Sequence, residues 1–574
     1  MATDLILTAS SIITMDDALP RAKALAIDSG TGRITAIGSL SEVKAAAPGA
    51  AVTDLGSTVL MPGFVEPHSH PLLSGMATQK PAYWVSPMVG VATWDDVKAI
   101  FATADKENPA DQILVFNGVD RLLQQAPLPT RSVLDEIFPA RPVVVIDNSG
   151  HGIYFNSPTL ALLGWPDGKP PADPVGGSFG RQADGTSDGT AFESGALMQI
   201  VGAVLPKAIP HPLQSGALFY QLMARCGITA TSEHTYNSGQ HQAYVALSSV
   251  PDCPLRLHVY HMSIEPDAAA DVDFPKPELV RKNGIKLWAD GSPWIGNVAI
   301  SFEYLDNPTT RTAQMELGPR GESQMNYNRA QLDAILDELV PTGYQMAFHC
   351  NGDVGFDVVL DAYARALTKF NLLGSDHRWR VEHLGAARRD QFERAAALGV
   401  TCSLSPFQYI YWGDLLDGVM FDPAHGSQWQ RIRDAFEAGV RPSYHNDGSV
   451  CPPDQLFNVM HTVMRTTTSG QVHGADQSVA LDQALRAITI NGAYQLKRDH
   501  EIGSLAVGKY ADLVELAADI YTVPVDQIVD KVTVLGTWLG GKRIDLDNFL
   551  DEVKRIDPTQ HSDLTQQLGN GKCC

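Results

Sequence analysis

Cysteine is scarce in this chain, seven in 574 residues, at positions 226, 253, 350, 402, 451, 573 and 574. An odd count without framework spacing excludes a disulfide-stapled scaffold and suits a reducing compartment. Basic residues are also short, with 43 Lys plus Arg against 65 Asp plus Glu and a net charge of −22. That balance repels nucleic-acid phosphates and anionic membrane surfaces, so neither is an expected partner. No apolar run approaches spanning length, and the start Met1-Ala-Thr-Asp-Leu-Ile-Leu-Thr8 has no basic n-region and no long apolar h-region. The terminal Cys573-Cys574 lacks the upstream basic cluster of a lipid-anchored tail. These absences together predict a cytoplasmic protein.

What is present is ordinary globular usage, 44% hydrophobic and 19% charged, over a length that allows one large α/β domain with accessory pieces. Residues 4–15, 22–28, 33–37 and 53–60 read as short strands separated by turns such as Asp28-Ser-Gly-Thr-Gly32. Matching strands return at 511–516 and 531–543, and the two remote pieces predict one composite β-sandwich, residues 1–62 and 501–546. Between them, apolar runs alternate with helical stretches, the signature of βα units. The candidate strands lie just before His68 and at 227–234, 256–260, 284–290, 344–349, 380–384, 400–405 and 440–447. Eight parallel strands predict a (β/α)8 TIM-like barrel over 63–500, with its active site at the carboxyl ends of the strands. The stretch from about 75 to 215 breaks this rhythm, being rich in Pro, Gly and aromatics, and reads as an insertion over the barrel mouth. Residues 547–574 read as a tail.

The most informative motif is Met61-Pro-Gly-Phe-Val-Glu-Pro-His-Ser-His70. Two histidines at i and i+2 of a strand share a face, so both imidazoles can reach one metal ion. His-x-His alone is weak evidence in a chain with 17 histidines. It gains weight because Lys286, His349, His383 and Asp447 also fall near predicted carboxyl ends of strands four, five, six and eight. Imidazole and carboxylate suit a divalent transition metal such as zinc, and an open coordination position brings bound water to a pKa of about 7. Taken singly, His349 or His383 reads as a core residue, Lys286 as a partner for Asp290, and Asp447 as a helix cap. Six coincidences at one barrel end outweigh those readings.

These residues resemble the metal-dependent amidohydrolase superfamily, in the branch of amidohydrolase family 3, which includes N-substituted formamide deformylases. The resemblance covers nearly the whole chain, resting also on Gly284-Ile-Lys-Leu-Trp-Ala-Asp-Gly-Ser292, Arg380-Val-Glu-His-Leu384 and Glu501-Ile-Gly-Ser-Leu-Ala-Val-Gly-Lys-Tyr-Ala-Asp-Leu-Val514. It implies one or two divalent ions, usually zinc. His68 and His70 would hold one ion with Asp447, and His349 and His383 the second. Lys286 would be carboxylated and bridge them, since an ammonium has donors only. Asp447 would be the general acid and base, with the second ion, or His349 or His383 in its absence, polarising the carbonyl. Two stretches depart from the family's usual wording. Tyr444-His-Asn-Asp-Gly448 replaces a small residue, Gly and Ser before the Asp, leaving His445 and Asn446 as unusual neighbours. Strand two ends in Ser232-Glu-His234 where a plainer His-Asp-like ending is usual, so that Glu233 or His234 could also face the substrate.

Aromatics near the expected mouth, Trp288 and Trp294 after strand four and Tyr409 after strand seven among them, favour an apolar or aromatic substrate group. His151 and Asn156, in Asn148-Ser-Gly-His-Gly-Ile-Tyr-Phe-Asn-Ser157, are further candidate contacts. Arg121 or Arg181 would serve a substrate carboxylate. The expected function is hydrolysis of a linear amide, an N-acyl or N-formyl derivative of a hydrophobic amine or amino acid. A deaminase or cyclic-amide hydrolase on the same barrel is the alternative, and a non-catalytic regulatory protein with this fold the weaker one. The expected partner is a small molecule, with a homo-oligomer left open by the apolar lid.

Overall fold

The structure, a computed structural model, describes residues 4–557 except Pro319; Cys573 and Cys574 lie outside the described residues. Eight strands pair in parallel in strict chain order: β1 (Phe64–Glu66), β2 (Ile228–Tyr236), β3 (Arg256–Met262), β4 (Val280–Trp288), β5 (Gln345–Cys350), β6 (Arg380–His383), β7 (Thr401–Leu404) and β8 (Ser443–Tyr444). Seven of them are buried at every position or nearly so, which is why they read as continuous apolar runs rather than alternating ones: helices cover one face and side chains fill the other. The ladder register sets Trp288 beside His349 and Cys350 beside His383, bringing the chemical groups of β4, β5 and β6 to one level.

Between β8 and β1 the seam is closed by a side chain. Glu66 accepts the Asn446 backbone N–H at 3.1 Å and the Gln455 amide at 2.9 Å. Burial pushes this carboxyl up to about 7, against the pull of those donors. The buried carboxylate thus pins the segment that follows β8.

Both chain ends share one sheet. Val59–Pro62 pairs in parallel with Leu5–Ile13 and antiparallel with Leu513–Leu516, setting Met61 opposite Val514. Seven strands of this sheet pair in one continuous path, and the eighth, Ala51–Asp54, pairs in parallel with Leu5–Ile13 off that path. Its apolar core gathers Leu7, Leu25, Leu60, Leu513 and Trp538. Arg256, at the foot of β3, fixes this sheet to the barrel with a buried fork to Asp512 at 2.6 and 2.9 Å. Tyr510 lies under two guanidinium groups, those of Arg33 and Arg256, each 4.0 Å from its ring centre.

A third, six-stranded sheet of mixed direction spans Tyr83 to Phe192, with Leu114–Val119 and Val143–Asp147 at its heart. The helix Glu193–Ala208 packs its Ile200, Val204 and Leu205 on that sheet. The residues read as the beginning of a tail form the helix Leu546–Ile556, which buries Phe549 and Val553. No helix among the described residues is long and apolar enough to cross a membrane.

Candidate active site

His68 and His70 lie just past β1, in the turn leading into the helix Pro71–Thr78, rather than on the strand itself. Their rings stand at 87° to each other, yet both Nε2 atoms face one oxygen: Asp447 Oδ1 is 3.3 Å from His68 Nε2 and 3.2 Å from His70 Nε2. Three site residues hold left-handed backbone conformations that side chains disfavour: Asp447 (φ 53°), His383 (φ 75°) and Glu193 (φ 62°). Each costs on the order of 1–3 kcal/mol and persists only where the surroundings over-determine it.

The two leading histidines are anchored from behind. Glu382, fully buried, takes His68 Nδ1 at 2.9 Å and is itself paired with Arg380 at 2.8 Å. Arg380 also donates to Tyr260 Oη at 2.9 Å and Pro67 O at 2.8 Å. Glu233 lies 3.6 Å from His70 Nδ1 and accepts from Leu72 N and Thr235 N, so it supports His70 and the turn after β1. His234 is stacked between His68 at 4.1 Å and Tyr260 at 4.2 Å. Anchoring one ring nitrogen while the other faces the centre is the usual arrangement around ligating histidines.

Lys286 Nζ approaches His68 Nε2 at 3.4 Å, and burial brings its amine down to about 8 despite Glu382 and Asp447. Burial, reinforced by Lys286, keeps His68 well below the ordinary imidazole range. Burial alone would raise the Asp447 carboxyl, but His70, His445 and Lys286 outweigh it and hold it below the usual value. His349 gives Nε2 to Gly291 O at 3.1 Å, and its ring lies 4.4 Å from His383 and 4.4 Å from His151. His383 Nδ1 is 3.9 Å from Asp447 Oδ2.

Two donor groups emerge, His68–His70–Asp447 and His68–His383–His445, with the ligand atoms of each within 4.8 Å of one another. The first passes a simple test of fit. Atoms bound to one zinc at about 2.0–2.2 Å in a tetrahedron lie about 3.4 Å apart, close to the spacings around Asp447. Asp447 Oδ1 is moreover a buried oxygen without a hydrogen-bond partner. Two imidazoles and a carboxylate are donors suited to zinc.

These groups open into a narrow cavity of about 90 Å³, the space of roughly three waters. His68, His70, Lys286, His349, His383 and Asp447 line it, facing an apolar wall of Leu73, Ala77, Ile146, Leu197, Met198 and Val201. Trp288 and His151, both expected from the sequence as substrate contacts, also line it. His151 is held by Glu193 at 2.9 Å, and Glu193 in turn by Asn297 at 3.2 Å. The other expected contacts have packing roles. Asn156 spends its amide on Val143 N, Phe138 O and Arg141 O. Trp294 stacks on Trp412 at 4.2 Å, and Tyr409 donates to His461 O beneath the Arg465 guanidinium. Arg121 donates to Ala313 O and Arg181 pairs with Asp173, both away from the cavity lining. A larger open cleft of about 870 Å³, beside Val534–Leu539 and the foot of the C-terminal helix, has no histidine in its lining.

The sequence profile of the amidohydrolase family matches residues 51–545. The chain belongs to the amidohydrolase family. It is 26% identical to the N-substituted formamide deformylase of Arthrobacter pascens over 552 residues, 94% of this chain and 97% of that protein. It is 24% identical to the protein LONG AFTER FAR-RED 3 of Arabidopsis thaliana over 565 residues, 95% of this chain and 92% of that one. An uncharacterized metal-dependent hydrolase from Pyrococcus horikoshii superimposes with a TM-score of 0.69 at 20% identity, covering 91% of this chain and 99% of that one, a likeness of fold. This amidohydrolase is thus a hydrolase of carbon–nitrogen bonds on a TIM-like barrel.

Sequence reasoning missed Glu382, Arg380, Glu66 and Glu193 as parts of the site. Arg380 and Glu382 did carry a signal: opposite charges at i and i+2 of a strand otherwise buried on both faces have to pair inside the barrel.

Proposed function

We propose that this amidohydrolase cleaves a linear amide, the N-formyl or N-acyl derivative of a hydrophobic amine, with one or two divalent ions, zinc in type. The observation that carries the reading is the convergence of His68 and His70 on the unpartnered Asp447 Oδ1, facing an apolar wall. The similarity to an N-substituted formamide deformylase supports the same substrate class.

His68, His70 and Asp447 would hold the ion, with Lys286, His349 and His383 beside it. When bound, such an ion supplies Lewis acidity to water and to a carbonyl oxygen. The remaining steps belong to the chain. Asp447 takes a proton from the attacking water and returns it to the leaving nitrogen as the C–N bond breaks, so that a carboxylic acid and an amine leave. His349, with its ring 4.4 Å from those of His383 and His151, would orient the carbonyl oxygen together with them. Leu73, Leu197, Met198 and Val201 take up the hydrocarbon group and exclude water.

Lys286 is the only Lys or Arg in the cavity lining among the described residues, and once carboxylated it would leave no such cation there to pair with a substrate carboxylate. That favours amides of simple amines over those of amino acids. Burial brings the Lys286 amine down to about 8, which favours the neutral form that adds carbon dioxide to become a carbamate. A panel of N-formyl and N-acetyl benzylamines and alkylamines, run with zinc-reconstituted protein beside cyclic imides and aminopurines, tests the proposal. Release of the free amine from the linear amides is expected; turnover confined to ring opening or deamination would refute it.

A further inference from the structure

We propose that His445 is itself a ligand of the metal centre, forming with His68 and His383 an alternative seat that the cation takes in place of the one made by His68, His70 and Asp447. The proposal rests on the reading that this site holds a divalent ion. Residue 445 sits on the segment just past β8, two positions before Asp447, and is fully buried. Its Nε2 lies 3.0 Å from His383 Nδ1, and its ring stacks on that of His68 with centres 4.7 Å apart. All three donor nitrogens lie within 4.8 Å of one another. A separation of 3.0 Å accommodates a shared proton, and it also approaches the roughly 3.4 Å edge of a tetrahedral zinc site.

The other side of the ring is built to hold it in place. His445 Nδ1 meets Ser403 Oγ at 2.8 Å, Ser443 Oγ lies 3.1 Å further on, and Ser443 donates to Gln495 Oε1 at 2.6 Å. The Gln495 amide is fixed by Cys402 O and Thr401 Oγ1 at 2.6 and 3.0 Å. A column of polar side chains running down the barrel from one imidazole is costly where branched aliphatic layers are the norm. It does for His445 what Glu382 does for His68, anchoring one ring nitrogen and leaving the other turned to the centre. His349, by contrast, belongs to neither donor group.

Crystals of the full chain reconstituted with zinc, with diffraction recorded on both sides of the zinc absorption edge, locate the ion directly. The expected result is an anomalous peak within about 2.3 Å of His445 Nε2 and His383 Nδ1. A peak confined to His68, His70 and Asp447 would overturn the ligand assignment and leave the hydrolase reading standing. No peak in zinc-reconstituted crystals would overturn both. In solution, His445→Ala should lower zinc affinity at least tenfold in chelator competition, with added imidazole restoring it; wild-type affinity in that variant would also overturn the proposal. The wild-type crystals decide the matter if the variant fails to fold.

Discussion

Removing the charge of Glu382 while keeping its shape, as Glu382→Gln, is the sharpest test of how the centre is held. The carboxylate is fully buried, and it joins His68 Nδ1 at 2.9 Å to the Arg380 guanidinium at 2.8 Å. The substitution leaves Arg380 buried without a counter-charge, and breaking such a pair costs about 3–5 kcal/mol. In a chain of this size that is a fall of roughly 2–4 °C in Tm. The second effect is on His68, which loses the acceptor that turns its Nε2 toward the centre, and zinc affinity should fall about 10–100-fold. Arg380→Met added to Glu382→Gln separates the two. Stability should largely return, because no charge is stranded, while the affinity stays low, because His68 remains unanchored. Thermal denaturation of the apo protein and chelator competition measure both terms. A single variant with wild-type Tm and wild-type zinc affinity would refute the argument, and so would a double variant that recovers affinity together with stability.

Asp447→Asn keeps an oxygen ligand but removes the proton acceptor, so kcat should fall about 10²–10⁴-fold with most zinc retained; an unchanged kcat, measured with metal content, would remove Asp447 from that role. Lys286→Ala should lose metal and activity and regain part of both with a short-chain carboxylic acid in the buffer, if a carbamate bridges two ions. Full activity of the plain variant would show that no bridge exists. Leu197→Arg places a cation in the apolar wall; KM for amides of hydrophobic amines should rise about tenfold or more, from the loss of about 1.5–3 kcal/mol of apolar contact. The same variant should gain on amides that carry a carboxylate, and a parallel loss on both classes would place Leu197 outside the binding wall. Exhaustive chelation should abolish turnover and zinc should restore it, as read by amine release.

The barrel was legible because parallel strands buried on both faces leave a plain mark: an apolar run that stops at a polar, chemistry-bearing residue. Seven of the expected strands begin within four residues of the observed ones, the largest offset being β4, which starts at Val280 rather than at 284. Lys286, His349, His383 and Asp447 were readable for the same reason, since an ionisable residue at the end of such a run has few uses besides the site. The side-chain destinations of Asn156, Trp294 and Tyr409 were not. An aromatic or an amide near the mouth is equally suited to lining a cavity or to filling the space behind it, and only the packing of residues more than a hundred positions apart, Trp294 on Trp412 for example, decides between them. Likewise half of the apolar wall comes from the helix Glu193–Ala208, whose Leu197 and Val201 line the cavity and also belong to the core cluster of Ile200, Val204 and Leu205, so no mark in the sequence sets them apart.

The supporting residues were hidden for a different reason, and it bears on how the site works. Glu66, Glu233 and Glu382 are fully buried carboxylates, which free energy disfavours unless each is paired or heavily hydrogen-bonded. Each is so satisfied: Glu66 by the segment beyond β8, Glu233 by the turn beyond β1, Glu382 by Arg380 and His68. Arg380 aside, the groups they hold, Asn446, Leu72 and His68, lie more than a hundred positions away in the sequence, so little in the local pattern announces them. Yet each holds a segment that carries a donor, Asp447 for Glu66, His70 for Glu233 and His68 for Glu382. The three donors of the first group come from the two ends of a barrel that closes through Glu66 rather than through a strand ladder. A centre assembled across that seam needs rigid carboxylates at its back. A strand ladder would align the backbones there, but the left-handed turn at Asp447 has to be aimed by a side chain.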